Sequence, residues 1–139
     1  MGKVFLTLII IVFISNAFAI TPPENVSKAF LAKFKTATNV KWGKEGAKEW
    51  EATFSYEGDK LSANFAADGK WLETELQIPI SGLPKPVNEA IKSQYPGWTI
   101  TEADKTETLK HGTIYEADLK KGGAKKEVAF KEDGTVVVE

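Results

Sequence analysis

The 139-residue chain contains no cysteine, no arginine, one histidine and one methionine. Without cysteine there is no disulfide, no thiolate metal site and no cysteine nucleophile. Nor is there a cysteine on which a lipid anchor could be built. A single histidine excludes a multi-histidine metal centre and gives a histidine-driven triad little footing. All 18 basic residues are lysine, so the planar, two-pronged guanidinium used against phosphates and carboxylates is missing. Against 19 acidic residues the formal net charge is −1. That leaves no basic excess of the kind nucleic-acid binders carry, and no nucleic-acid partner is expected. Composition thus removes most enzyme classes before any motif is read. What is plentiful is apolar surface, with 42% hydrophobic residues, including eight Phe, four Trp and three Tyr.

The one long apolar run lies at the N-terminus. Met1–Ala19 reads MGKVFLTLIIIVFISNAFA, with Lys3 as a positive start, Val4–Ile14 as the apolar stretch and Ala17-Phe18-Ala19 as a small-x-small cleavage pattern. The stretch falls short of the roughly 20 residues needed to cross a hydrocarbon core of about 30 Å. No basic stop-transfer cluster follows it; Ile20-Thr21-Pro22-Pro23 does. Residues 1–19 are therefore expected to be a cleaved signal peptide. The mature chain would be periplasmic or secreted, and not membrane-spanning.

Comparing the remainder with itself reveals a repeat of about sixty residues. Val26–Phe34 (VSKAFLAKF) overlies Val87–Tyr95 (VNEAIKSQY) at an offset of 61. Trp50–Phe54 (WEATF) overlies Tyr115–Leu119 (YEADL), and Phe65–Gly69 (FAADG) overlies Phe130–Gly134 (FKEDG), both at an offset of 65. The change of offset places a four-residue insertion in the second copy, around Asp104–Thr113. Each copy opens with a helix. Val26, Phe30 and Phe34 recur at i, i+4, i+8, as do Val87, Ile91 and Tyr95, and prolines stand before both starts. Strands follow. Trp50, Ala52, Phe54 and Tyr56 alternate with Glu49, Glu51, Thr53 and Ser55, and Leu61, Ala63 and Phe65 alternate with Ser62 and Asn64. The remaining strands are expected at Val40–Trp42 and Trp71–Ile78 in the first copy. In the second they are expected at Thr99–Lys105, Thr113–Lys120, Ala124–Phe130 and Thr135–Glu139. Gly58-Asp59, Asp68-Gly69, Gly122-Gly123 and Asp133-Gly134 supply the turns. The expected fold is α+β: two tandem α-β-β-β-β repeats, residues 20–80 and 81–139, forming one shared domain. Its antiparallel sheet would carry both helices on one face, over a core common to the two halves.

These pieces resemble the PepSY-like, or β-lactamase-inhibitor-like, family of exported bacterial proteins. The matching segments are the helix Val26–Phe34, Asn39–Trp42, Trp50–Phe54, Gly58–Lys60 and Phe65–Glu73. In the second copy they are Tyr95-Pro96-Gly97, Tyr115–Leu119 and Asp133-Gly134. The first copy departs from the pattern by having Phe34-Lys35-Thr36 where Phe-Pro-Gly is usual. The resemblance implies tandem units with helices on one side of an antiparallel sheet. It also implies a likeness of fold to an inhibitor that grips an enzyme with its open sheet face. Fold alone does not transfer function.

The residues offer no catalytic centre. His111 lies in the insertion without a positioned partner. The mature chain's serines at 27, 55, 62, 81 and 93 lack a nucleophile-elbow context. Asp68-Gly69 and Asp133-Gly134 lack the alternating oxygen ligands and late glutamate of a calcium loop, so neither metal nor cofactor is expected. The candidate site is instead the open face: Glu49, Glu51, Thr53, Ser62 and Asn64 in the first copy, Glu116 and Asp118 in the second. Trp71 has two readings. A two-residue turn at Asp68-Gly69 puts it on the open face as a binding anchor, whereas a three-residue loop with a bulge turns it to the core. The expected function is non-enzymatic binding of another protein or peptide through this face. The alternative is a small-molecule or peptide module, or an envelope sensor, with its cleft between the copies.

Overall fold

Prolines set both helix starts. Pro23 and Pro84 occupy the N-cap positions of α1 (Glu24–Lys33) and α2 (Lys85–Gln94) in extended conformation. Their fixed φ and missing N–H cost nothing at that point. Both helices stop the same way, Phe34 N–H donating to Phe30 O and Tyr95 N–H to Ile91 O, each at 2.8 Å. The first helix turns out of its last residue without Pro-Gly. Even so, Ala37 N–H reaches Phe34 O at 3.1 Å, as Trp98 N–H reaches Tyr95 O at 3.2 Å.

The computed structural model describes residues 20–138, and the expected signal peptide at 1–19 lies outside them. The described residues form the two helices, a short 3₁₀ turn at Ile80–Gly82 and seven strands. The strands are β1 (Thr38–Glu45), β2 (Glu49–Tyr56), β3 (Asp59–Ala66), β4 (Trp71–Gln77), β5 (Thr99–Thr108), β6 (Gly112–Lys121) and β7 (Ala124–Phe130). They make one antiparallel sheet in sequence order. β4 pairs directly with β5 (Glu75 opposite Thr106, Leu76 opposite Lys105), so one ladder runs unbroken through both halves. Among these residues no helix is long and apolar enough to cross a membrane.

Three expectations need correction. Thr135–Glu139 is not an eighth strand. Within the described residues it contributes one isolated bridge, Val136 to Phe130. The strands expected at Thr99–Lys105 and Thr113–Lys120 run further than that, into the insertion. It lengthens β5 and β6 to ten residues each, joined by Leu109–His111. The halves also do not share a core. One cluster gathers Val26, Phe30, Phe34, Ala52, Phe54, Ala63 and Phe65 under α1; another gathers Leu83, Val87, Ile91, Ala103, Ala117, Leu119, Val128 and Phe130 under α2. Between them, the helix-side positions at the β4–β5 seam carry Thr74 opposite Glu107 and Leu76 opposite Lys105, which cannot continue an apolar layer.

Candidate functional site

Alternation decides which side chains leave the core. In β2, Trp50, Ala52, Phe54 and Tyr56 pack under α1, so Glu49, Glu51, Thr53 and Ser55 face away. Register carries this face across the sheet. Glu51 is opposite Asn64 and Thr53 opposite Ser62. Asn64 is opposite Glu73 and Ser62 opposite Glu75. Glu116 is opposite Asp104, and Asp118 lies between Glu102 and Glu127. Seven of the eight candidate residues thus share the face without helices: Glu49, Glu51, Thr53, Ser62, Asn64, Glu116 and Asp118.

Trp71 does not. It pairs with Phe65 across a bulge, packs against the first cluster, and donates from Nε1 to Thr74 Oγ1 at 2.9 Å. The three-residue loop is the one adopted, and Trp71 is removed from the open face. The same slip sends Glu73, Glu75 and Gln77 onto that face, where they join Glu102, Asp104 and Thr106 of β5. These residues escaped the sequence reading. The signal for β4 was present in the spacing of Glu73, Glu75 and Gln77, but the undecided turn left the strand's face open.

The face is hollowed rather than flat. A depression of about 760 Å³ extends over β2 to β7, lined among others by Glu51, Thr53, Ser62, Glu75, Gln77, Glu102, Asp104, Glu116 and Asp118. It straddles both halves on the sheet surface, across the hydrogen-bonded β4–β5 seam. On this face of the sheet short polar side chains donate to longer acidic ones. Asn64 is only 6% exposed and donates to Glu45 Oε2 at 3.4 Å and Glu73 Oε1 at 3.3 Å. Thr106 is fully buried and donates to Glu116 Oε2 at 2.5 Å. Ser62 donates to Glu75 Oε2 at 3.1 Å. Uncharged donors therefore orient the carboxylates, and Lys60, Lys120 and Lys125 share the face and line the depression with them.

Crowded like charges away from water resist ionisation. Burial, then the nearby Glu116 and Glu73, push Glu75 up to about 8. Burial raises Glu51, with Glu45 adding to it. Asp104 is raised by burial and by Glu102 and Asp118. Asp118 is raised by burial and Glu102, with Lys125 partly offsetting. All four groups lie on this face. Among the described residues no three acidic or histidine side chains are arranged to hold a metal ion. His111, in the β5–β6 turn, donates its backbone N–H to Thr108 Oγ1 at 2.9 Å.

A family model described as "Putative beta-lactamase-inhibitor-like, PepSY-like" matches residues 48–137. A DUF2874 family protein from Bacteroides ovatus superposes with a TM-score of 0.73 at 22% identity, covering 86% of each chain. A BLIP-like protein from Bacteroides fragilis gives 0.71 at 24% identity, covering 86% of this chain and 85% of that one. A structure titled "putative periplasmic proteins" from Bacteroides eggerthii gives 0.72 at 18% identity, over 86% of this chain and 88% of that one. At such identities the structural likeness is one of fold alone. No curated protein matches the chain. With its match extending from β2 through β7, the chain belongs to the PepSY-like, beta-lactamase-inhibitor-like family.

Proposed function

We propose that the chain is an exported, non-enzymatic protein that binds a basic segment of another polypeptide on the open face of its sheet. The observation that carries this reading is the crowd of carboxylates over the hollow. Glu75, with Glu73, Glu116 and Asp104 around it, resists ionisation, and a cation laid across the hollow would relieve that crowding. Each docked lysine or arginine would let carboxylates ionise, so binding would release protons. Surface complementarity supplies the mechanism, with no bond made or broken. The family description and the BLIP-like name of a structural neighbour support protein binding. The leader pattern at 1–19 and a neighbour's periplasmic title support export to the periplasm or beyond.

The two halves, 20–80 and 81–139, read as copies of one unit within one domain. In both, the Asp-Gly turn seats its glycine on the first turn of the half's own helix, Gly69 on Asn25 and Gly134 on Pro86. A small-molecule site fits less well. The hollow's volume is in the range of ligand pockets, but the carboxylates crowded around Glu75 favour a cationic occupant.

Calorimetry with a lysine-rich peptide, and a glutamate-rich peptide of equal length, tests the proposal. Only the lysine-rich peptide should bind, with heats that change with buffer ionisation enthalpy as protons leave. Glu51→Lys with Asp118→Lys should abolish binding. Glu24→Lys with Glu89→Lys, at exposed helix positions, should not. Equal loss from both pairs, or no binding, overturns the reading.

A further inference from the structure

The two edges of the sheet are finished differently. Beyond β7 the chain turns back on itself. Lys131 N–H donates to Thr135 O at 2.8 Å, Val137 N–H donates to Ala129 O at 2.9 Å, and Val136 bridges to Phe130. Beyond β1 no strand follows among the described residues. An unpaired edge is a template for another strand unless something blunts it. Here the blunting is partial. A bulge between Thr38 and Lys41 disrupts the first part of β1, where Asn39 takes a φ of 55°. From Lys41 to Glu45 the ladder is regular.

Gly43 sits in the middle of that regular stretch. Its φ is not positive, and a Cβ there would meet nothing closer than Glu51 Oε2 at 3.8 Å. Neither conformation nor crowding within the chain calls for glycine. In a strand interior such a glycine often marks the close approach of another backbone. The residues around it decide which backbone. Lys41, Gly43 and Glu45 share the open face, and Trp42 and Lys44 the helix side, as their partners Thr53, Glu51, Glu49, Ala52 and Trp50 establish.

We propose that β1 pairs antiparallel with β1 of a second copy, about a two-fold axis through Gly43, joining two sheets into one. That axis sets Lys41 opposite Glu45 of the other copy, twice, on the same face. It also sets Trp42 opposite Lys44, a cation beside an indole. A two-fold on Lys41 or Lys44 would stack lysine on lysine. One on Trp42 would run the pairing into the bulge and match no charges. The lysine at 41 therefore discourages unrelated strands and is neutralised by a copy of this chain.

Sedimentation equilibrium of the purified chain over a range of concentrations reads the association. The parent chain should form a reversible dimer. Lys41→Glu and Glu45→Lys, each studied alone, put like charges opposite one another twice and should weaken it roughly tenfold or more. Mixed together, the two variants restore opposite charges at both contacts and should form a heterodimer. That mixture also controls for folding, since a misfolded variant could not be rescued by its counterpart. A parent chain that stays monomeric overturns the proposal. So do single variants that associate as the parent does, or a mixture that remains monomeric although both variants retain the parent's circular dichroism.

Discussion

The two halves present similar frames filled with different material. Under α1 the packing is aromatic. Phe30 alone meets Phe34, Trp42, Phe54 and Phe65 with ring centroids 4.9 to 6.2 Å apart. Under α2, Ile91 and Leu119 take the centre, and Phe130 is the one fully buried ring. Phe30 and Ile91 stand at equivalent places, as do Phe54 and Leu119. What the halves hold in common is position: an apolar stripe on a helix, alternation in the strands, and a glycine turn seated on the helix start. Packing identity can drift while those positions are kept, because a core requires volume and apolarity before a particular side chain.

The largest effect expected from disturbing this contrast is at the two central residues. Phe30→Ala should cost about 3–5 kcal/mol, since it removes four ring contacts at once. Ile91→Ala should cost less, about 2–4 kcal/mol. Urea denaturation measures both, and an equal or reversed order would show that aromatic packing is not what distinguishes the halves.

The glycine turns should behave alike in the two halves. Gly69 and Gly134 have φ of 90° and 85°, and a Cβ would come within 2.9 Å of Asn25 O and 2.7 Å of Pro86 O. Alanine at either should destabilise by about 1–3 kcal/mol through strain and a backbone clash, Gly134→Ala slightly more. A neutral substitution at either turn would mean that the turn is not seated on its helix.

A pH-dependent effect is expected at the seam, where neither half acts alone. The Glu75 pKa is raised from its ordinary 4.5 to about 8 in the folded protein. An acid with a raised folded pKa binds its proton more tightly folded than unfolded. Its cost to stability is therefore absent below about pH 4.5 and accumulates as pH rises toward 8. Glu75→Gln keeps an acceptor for Ser62 and removes the charge. The variant should melt with the parent at pH 4 and above it at pH 8, with the gap closing smoothly between. A gap independent of pH would place the effect elsewhere.

Much of this organisation was legible in the sequence, for stated reasons. Helical stripes at Val26–Phe34 and Val87–Tyr95 and the alternation from Glu49 to Phe65 are local patterns, and local patterns survive folding. The face of Trp71 was not legible. A two-residue turn and a three-residue loop share Asp68-Gly69, and what separates them is the docking of Gly69 on Asn25. With that docking unknown, Glu73 and Glu75 could not be assigned to the open face, so the most crowded part of the site stayed out of view. The separation of the two cores was likewise hidden. It depends on Glu107 and Lys105 meeting Thr74 and Leu76 across the seam, a register between halves that no local pattern specifies.

The central claim, that the open face receives a basic polypeptide, is tested most directly by side-chain-resolved NMR during titration with the lysine-rich peptide. The account predicts that the carboxyl carbons of Glu51, Glu75, Glu116 and Asp118 shift most, Glu75 losing its proton near neutral pH. The carboxyls of Glu24 and Glu89 on the helices should stay in place. Largest shifts on the helix side, or a Glu75 carboxyl unmoved at saturation, would contradict it.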